Sequence, residues 1–207
     1  MLLQSKRLSY KVVLVAKEFP HVLSSSSSAN YASMWAGAHV RPIPATDKQL
    51  SREAQWLKHT TDVLRTQAQE EPWAGITQLP GEERIGVVDE PYRARYTSAE
   101  AFEEETGLGG WEPLRVGQSN EDTKFAFAYN TFCINSPVYC MNLLRKFIVG
   151  GGKTVEISLA SEWEAFSVTE DVAFVVNASG TGFGDTNCFP TKGRYTEKSS
   201  FLLYFVW

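Results

Sequence analysis

Residues 10–16 read YKVVLVA, a valine-rich run with almost no polar interruption. β-Branched residues fit a pleated surface, and a strand that is apolar on both sides must be covered on both sides. The run therefore predicts a strand of a parallel sheet flanked by helices, and so an α/β fold. Phe19-Pro20 stops the strand, because proline has no N–H to give to a ladder. Ahead of it, Leu2, Leu3 and Leu8 are spaced like the last turns of a helix. The chain thus reads as if cut, opening inside a helix and running directly into a buried strand.

Further along, Thr46-Asp47-Lys48-Gln49 fits a capping box with Thr46 as the cap. Leu50, Ala54, Leu57, Thr61 and Leu64 then recur at alternating steps of four and three, which predicts an amphipathic helix over 47–66. Residues 67–124 are broken by Pro72, Pro80, Pro91 and Pro113 and carry the glutamate clusters 70–71, 82–83 and 103–105. They predict a separate, antiparallel part, with a short strand at 85–88 and a short helix at 99–105. A strand at 125–129 follows. Ser136-Pro137 starts a helix, Ser as cap and Pro at the first position, which Gly150-Gly151-Gly152 ends. Its apolar face is Cys140, Met141, Leu144, Phe147 and Ile148. Residues 153–159 (KTVEISL) alternate as a strand does, and 171–178 (DVAFVVNA) read as another buried strand. The expected division is 1–66, an insertion at 67–124, a return to the first part at 125–194, and a tail at 195–207 that ends in seven apolar residues.

Composition narrows the function classes. With 43% hydrophobic residues the chain is not intrinsically disordered. A net charge of −4 argues against non-specific nucleic-acid binding. No apolar stretch approaches the roughly 20 residues of a membrane helix, and residues 1–11 have no apolar core of a secretory signal. Three cysteines without framework spacing fit a reducing compartment. His21, His39 and His59 are scattered, so no metal site is expected.

Three stretches can carry chemistry. Glu18 follows a buried strand, where dinucleotide-binding folds keep the carboxylate that accepts hydrogen bonds from the two ribose hydroxyls. Many surface strands also end in an acid. Residues 179–184 (SGTGFG) follow another apolar run, and small residues there let free N–H groups approach phosphate; the same glycines serve an ordinary turn. Trp35-Ala36-Gly37-Ala38-His39 is a small-residue turn that can lie flat on a large planar ligand, or simply anchor a Trp in a core. No GxGxxG, GxSxG or GxxxxGK[ST] pattern occurs, which removes support from hydrolase and P-loop readings.

These stretches together resemble the D-amino-acid oxidase family in its fungal branch. Residues 10–20 (YKVVLVAKEFP) are similar to the family's second strand. Residues 27–42, with YASMWAGAHVRP, resemble its serine-containing loop and the Trp-Ala-Gly-Ala turn at the flavin. Residues 135–182 resemble its helix–strand–strand return ending in Val-Val-Asn-Ala-Ser-Gly-x-Gly. The likeness covers most of 1–194, loosely at 67–124. It implies a partial FAD-binding, Rossmann-like parallel sheet and a smaller antiparallel part facing the substrate. It further implies that Lys17 and Glu18 hold the adenosine ribose, and that Ser27 and Ser28 approach the pyrophosphate. Ala36, Gly37, Ala38 and His39 would line the isoalloxazine, with His39 where relatives often carry Asn. Leu159 would offer backbone contacts to adenine, and Ser179 and Gly180 would serve the pyrophosphate side.

The activity so implied is oxidation of a D-amino acid by FAD and molecular oxygen to a 2-oxo acid, ammonia and hydrogen peroxide, in a peroxisomal or cytoplasmic protein. The family's first strand, its GxGxxG and its substrate-binding arginine and tyrosines have no counterpart in the sequence, so no catalytic residue is assigned and the chain reads as truncated at both ends. Two alternatives stand beside this one, a non-catalytic remnant and another Rossmann-type enzyme such as an NAD-dependent reductase. Arg41, Arg93 and Arg95 lie near the candidate segments and read as solvated surface groups.

Overall fold

The computed structural model describes residues 10–20, 31–36, 39–88, 90–116, 123–180, 183, 184 and 186. The chain forms two compact units, one of Met1–Ala32 with Met141–Trp207, the other of Ser33–Cys140. The first contains a parallel sheet and the second a separate antiparallel one, so the α/β expectation holds.

In the first unit β1 (Val13–Ala16) pairs in parallel with β5 (Lys153–Glu156), Val13 opposite Lys153 and Ala16 opposite Glu156. Lys153 N–H to Val12 O at 3.1 Å and Ile157 N–H to Ala16 O at 2.9 Å extend the ladder by one bond at each end. Two corrections follow. β1 is half-buried with Leu14 exposed, and is not covered on both faces. Residues 171–178 form no strand, and Phe174 is 50% and Val176 70% exposed. An apolar β-branched run becomes a strand only when a neighbour meets its backbone groups, and among the described residues none does. Its one ring contact is edge-to-face, Phe174 on Tyr10 at 5.9 Å. Residues after Ile157 also leave the ladder, so the strand expected over 153–159 is shorter, and Glu162–Ser167 form a 3₁₀ turn.

The helix that leads into β5, α5 (Ser136–Val149), begins one residue earlier than a serine cap would allow. Asn135 is the cap, its Oδ1 accepting the Val138 N–H at 3.3 Å. Phe147 is buried and Ile148 is exposed, so only part of the expected apolar face is covered. The glycine run ends the helix by two means. Gly151 turns at φ 87°, and a Cβ at Gly152 would stand 2.4 Å from the Phe147 ring.

In the second unit the sheet order is β2–β4–β3, with β2 (Ile76–Ile85) and β4 (Phe125–Ile134) paired antiparallel over ten residues and β3 (Glu112–Pro113) beyond. The strand expected at 85–88 lies upstream of that position, through the proline and the glutamates that read as a break. Pro80 stands opposite Asn130, whose N–H points the other way, to Gly109 O at 2.7 Å. Pro80 therefore occupies a position that exchanges no ladder bond, on the outer strand, and its missing N–H costs nothing there. After the single turn α1 (Ala32–Trp35), the amphipathic helix is α2 (Lys48–Glu70), with Ala54, Thr61 and Leu64 buried. Its cap is Asp47, one residue after the expected Thr46, accepting the Gln49 and Leu50 N–H groups at 2.8 Å each. Two short helices, α3 (Glu90–Arg95) and α4 (Ala99–Thr106), bring Tyr92, Tyr96 and Phe102 onto the Phe127 and Tyr129 face of β4. These rings with Val40, Leu64, Ile76, Leu108 and Phe132 make the core.

Candidate functional site

Lys17 and Glu18 follow the last residue of β1, and Leu159 lies three residues beyond β5. Because the strands are parallel, all three fall at the carboxyl end of one sheet, the end where open α/β sheets bind ligands. Glu18 is half-buried and is followed by the buried Phe19. The last ladder bond is donated by Ile157, and Ala160 N–H turns to Glu164 Oε2 at 2.9 Å. Among the described residues nothing hydrogen-bonds Leu159, whose backbone is thus free to meet the edge of a ligand. Ser179 and Gly180 belong to the same unit and are exposed. The Ser179 N–H is taken by Asn177 Oδ1 at 3.1 Å, which leaves the hydroxyl for a ligand, and Gly180 turns at φ 76°. Ser27, Ser28, Gly37 and Ala38 lie outside the described residues.

Ala36 and His39 belong to the second unit, and here the structure shows a group of residues that the sequence did not. Ala36 O accepts the Ser136 Oγ–H at 2.7 Å. His39 bridges Cys133 antiparallel, Val40 N–H reaches Phe132 O at 3.0 Å, and Thr131 Oγ1 donates to Val40 O at 2.5 Å. Residues 39–40 therefore run along the edge of β4 opposite β2. From there two side chains cross β4. The His39 ring stacks on Tyr129, centroids 6.3 Å apart and planes 22° apart. Arg41 reaches Glu83 with a two-pronged bond, Nε to Oε1 at 2.8 Å and Nη2 to Oε2 at 2.5 Å. The Tyr129 hydroxyl donates to Glu83 Oε1 at 3.0 Å.

Glu83 is the buried member of the pair, its side chain 5% exposed against 45% for Arg41. Burial, with the charge of Glu83 behind it, pushes the Tyr129 hydroxyl far above its ordinary range and Tyr92 up to about 12. Tyr129 therefore stays a proton donor to the carboxylate. The bond to Glu83 holds the Arg41 guanidinium above its usual value. So Arg41 is not a merely solvated group. Arg93 and Arg95 are paired too, with Glu90 at 3.9 Å and Glu105 at 2.6 Å. No sequence spacing links positions 41, 83 and 129.

His39 titrates below its ordinary value because burial penalises the imidazolium; Glu83 pulls it up and Arg41 pushes it down. A folded value below the unfolded one means the unfolded chain binds the proton more readily, so stability is complete above about pH 6.5 and falls as the pH drops through that value. Urea midpoints measured at several pH values from about 5 to 8 should fall on the acid side, and His39→Gln should flatten part of that fall. An unchanged pH profile in the variant would show that His39 is not the group responsible.

Among the described residues there is no cluster of His, Cys, Asp or Glu able to hold a metal ion, and no helix long and apolar enough to cross a membrane. A parallel pair of strands, joined in one chain to a separate antiparallel sheet, defines an α/β protein. The D-aspartate oxidase of Talaromyces thermophilus is similar to it, 37% identical over 161 residues, which is 75% of this chain and 42% of that protein. No protein-family model matches the chain. The chain belongs to the D-amino-acid oxidase family, and it spans less than half the length of that relative.

Proposed function

We propose that the chain serves FAD-dependent oxidative deamination, in which a D-amino acid, oxygen and water give a 2-oxo acid, ammonia and hydrogen peroxide. The observation that carries this reading is the shared carboxyl end of β1 and β5, with Glu18 after one strand and the uncommitted Leu159 backbone after the other. A half-buried carboxylate there has the acceptor chemistry for two ribose hydroxyls, and Lys17 adds a positive charge beside it. Leu159 would meet the adenine edge. The Ser179 hydroxyl and the Gly180 backbone would serve the pyrophosphate, as would Ser27 and Ser28. Ala36, Gly37, Ala38 and His39 would lie against the isoalloxazine. The flavin, when bound, would accept hydride from the substrate Cα and pass the electrons to oxygen. The chain's own residues bind and orient. That residues 67–124 face the substrate, and that the protein resides in peroxisome or cytoplasm, are parts of the same proposal. D-Aspartate is the first substrate to try, because the relative is named for it.

The test is a fluorescence titration of FAD into the purified chain and into Glu18→Ala. Losing a charge-assisted hydrogen bond to the ribose should weaken binding by about tenfold or more. Peroxide formation with D-aspartate is then assayed on the loaded chain. Equal affinity of the two chains for FAD would remove Glu18 from the site. Tight NADH binding without FAD binding would replace this reading with the reductase alternative.

A further inference from the structure

The best-supported new feature of the molecule is the way Ala36 and the segment His39–Arg41 are fastened. Three hydrogen bonds hold them by their backbone: Ser136 Oγ on Ala36 O, Val40 N–H on Phe132 O, which makes the bridge between His39 and Cys133, and Thr131 Oγ1 on Val40 O. All of these lead to β4 or to the start of α5. They fix where the segment lies. They do not fix how far it is drawn across the sheet.

That is done by one long-range pair. Arg41 extends over Tyr129 to Glu83 on β2, 42 positions away, and engages both carboxylate oxygens. The surface beneath is shaped for the crossing. Gly81 stands opposite Tyr129 in the ladder, and a Cβ there would lie 2.9 Å from Thr131 Cγ2, 3.2 Å from His39 Nε2 and 3.3 Å from the Tyr129 ring. A bare position at 81 lets His39 and Tyr129 settle side by side. Glu83, two residues on, supplies the charge that Arg41 seeks. A carboxylate this buried is costly unless it is paired and hydrogen-bonded. Here it has two bonds from Arg41 and one from Tyr129, so the arrangement that satisfies Glu83 is also the one that draws residues 39–41 over the sheet.

We propose that Glu83 is a positioning residue for His39 and Val40. Through Arg41, and over the hollow left by Gly81, it sets how far residues 39–41 are drawn over the sheet, and so where the His39 ring that would face the flavin stands. The role toward the flavin rests on the reading given under Proposed function. The fastening itself does not.

The experiment compares amide hydrogen exchange in the full chain, in Glu83→Gln and in Arg41→Lys, and adds an FAD titration of each. In Glu83→Gln the Val40 amide should exchange about tenfold faster, the equivalent of one lost hydrogen bond. The β2–β4 ladder amides at Phe127 and Tyr129 should accelerate less, by no more than about fivefold, which is the effect of the substitution on the unit as a whole. Arg41→Lys keeps the charge without the fork, so its Val40 rate should fall between the two. FAD affinity should follow the same order. Uniform acceleration of all amides would mean that Glu83 only stabilises the unit, and an unchanged Val40 rate would mean that it does not hold the segment; either overturns the proposal. If the unaltered chain takes up no FAD, the reading under Proposed function fails while the Val40 result still decides the fastening.

Discussion

Replacing Arg41 by Met should lower the stability of the second unit by about 3 kcal/mol, because it strands a buried charge. Met keeps the length and the apolar stem of the side chain, so the loss is of charge and donors rather than of packing. Glu83 would keep the single hydrogen bond from Tyr129 in a site that is 5% exposed. The opposite deletion is milder. Glu83→Gln leaves Arg41 unpaired, but that guanidinium is 45% exposed and can turn to water, so about 1 kcal/mol is expected. The double variant, R41M with E83Q, removes both charges and should recover most of the loss, ending within about 1 kcal/mol of the Glu83→Gln value. Urea unfolding followed by tryptophan fluorescence gives all three. The ordering carries the argument: the Arg41 single variant must be worse than the double. If adding Glu83→Gln made Arg41→Met worse still, the carboxylate would have found another partner, and the account of its burial would be wrong.

Local features were legible in the sequence because their physics is local. The helix over 47–66 was visible as Ala54, Leu57, Thr61 and Leu64, the residues that pack inward, and the structure adds one more turn to Glu70. Its cap was misplaced by one residue because Thr46 and Asp47 both carry a side-chain oxygen. What decides between them is backbone shape: Asp47 has the extended φ −140° and ψ 179° that aim its carboxylate at the first turn. The same slip occurred at Asn135 and Ser136, where the serine hydroxyl was drawn away to Ala36 O.

Non-local features were not legible. In β2, PGEER carries every mark of a turn, and only pairing with a strand about fifty residues later makes it part of a sheet. The error at 171–178 is the converse. Valine and phenylalanine there announce a capacity to be buried, and the sequence holds no information on whether a neighbour is at hand to use it. For the candidate site the division is similar. Glu18 could be placed from the run of its strand alone, since strand ends are local; Leu159 came from the family likeness, and the strand before it stops at Glu156. Arg41, Glu83 and Tyr129 meet only through the fold of the antiparallel sheet.

Phe127→Ala should destabilise the second unit by about 4 kcal/mol, the range for removing a large aromatic ring from a closed core. Phe127 is fully buried, in ring contact with Tyr96, Phe102, Trp111, Phe125 and Tyr129 at centroid distances from 5.5 to 6.3 Å. Its neighbours come from β4, from α4 and from the stretches that flank them, so collapse into the space would require several elements to move together. Phe127→Leu retains most of the apolar volume and should cost about 1.5 kcal/mol. Phe174 provides the control. It too is a phenylalanine in an apolar run, but it is half exposed with a single ring contact, and Phe174→Ala should cost less than about 1 kcal/mol. Thermal or urea midpoints of the three variants test the placement of Phe127 in the core. A Phe174 variant as damaged as the Phe127 variant would mean that the apolar run at 171–178 is packed in solution, and that the first unit holds a core of its own around it.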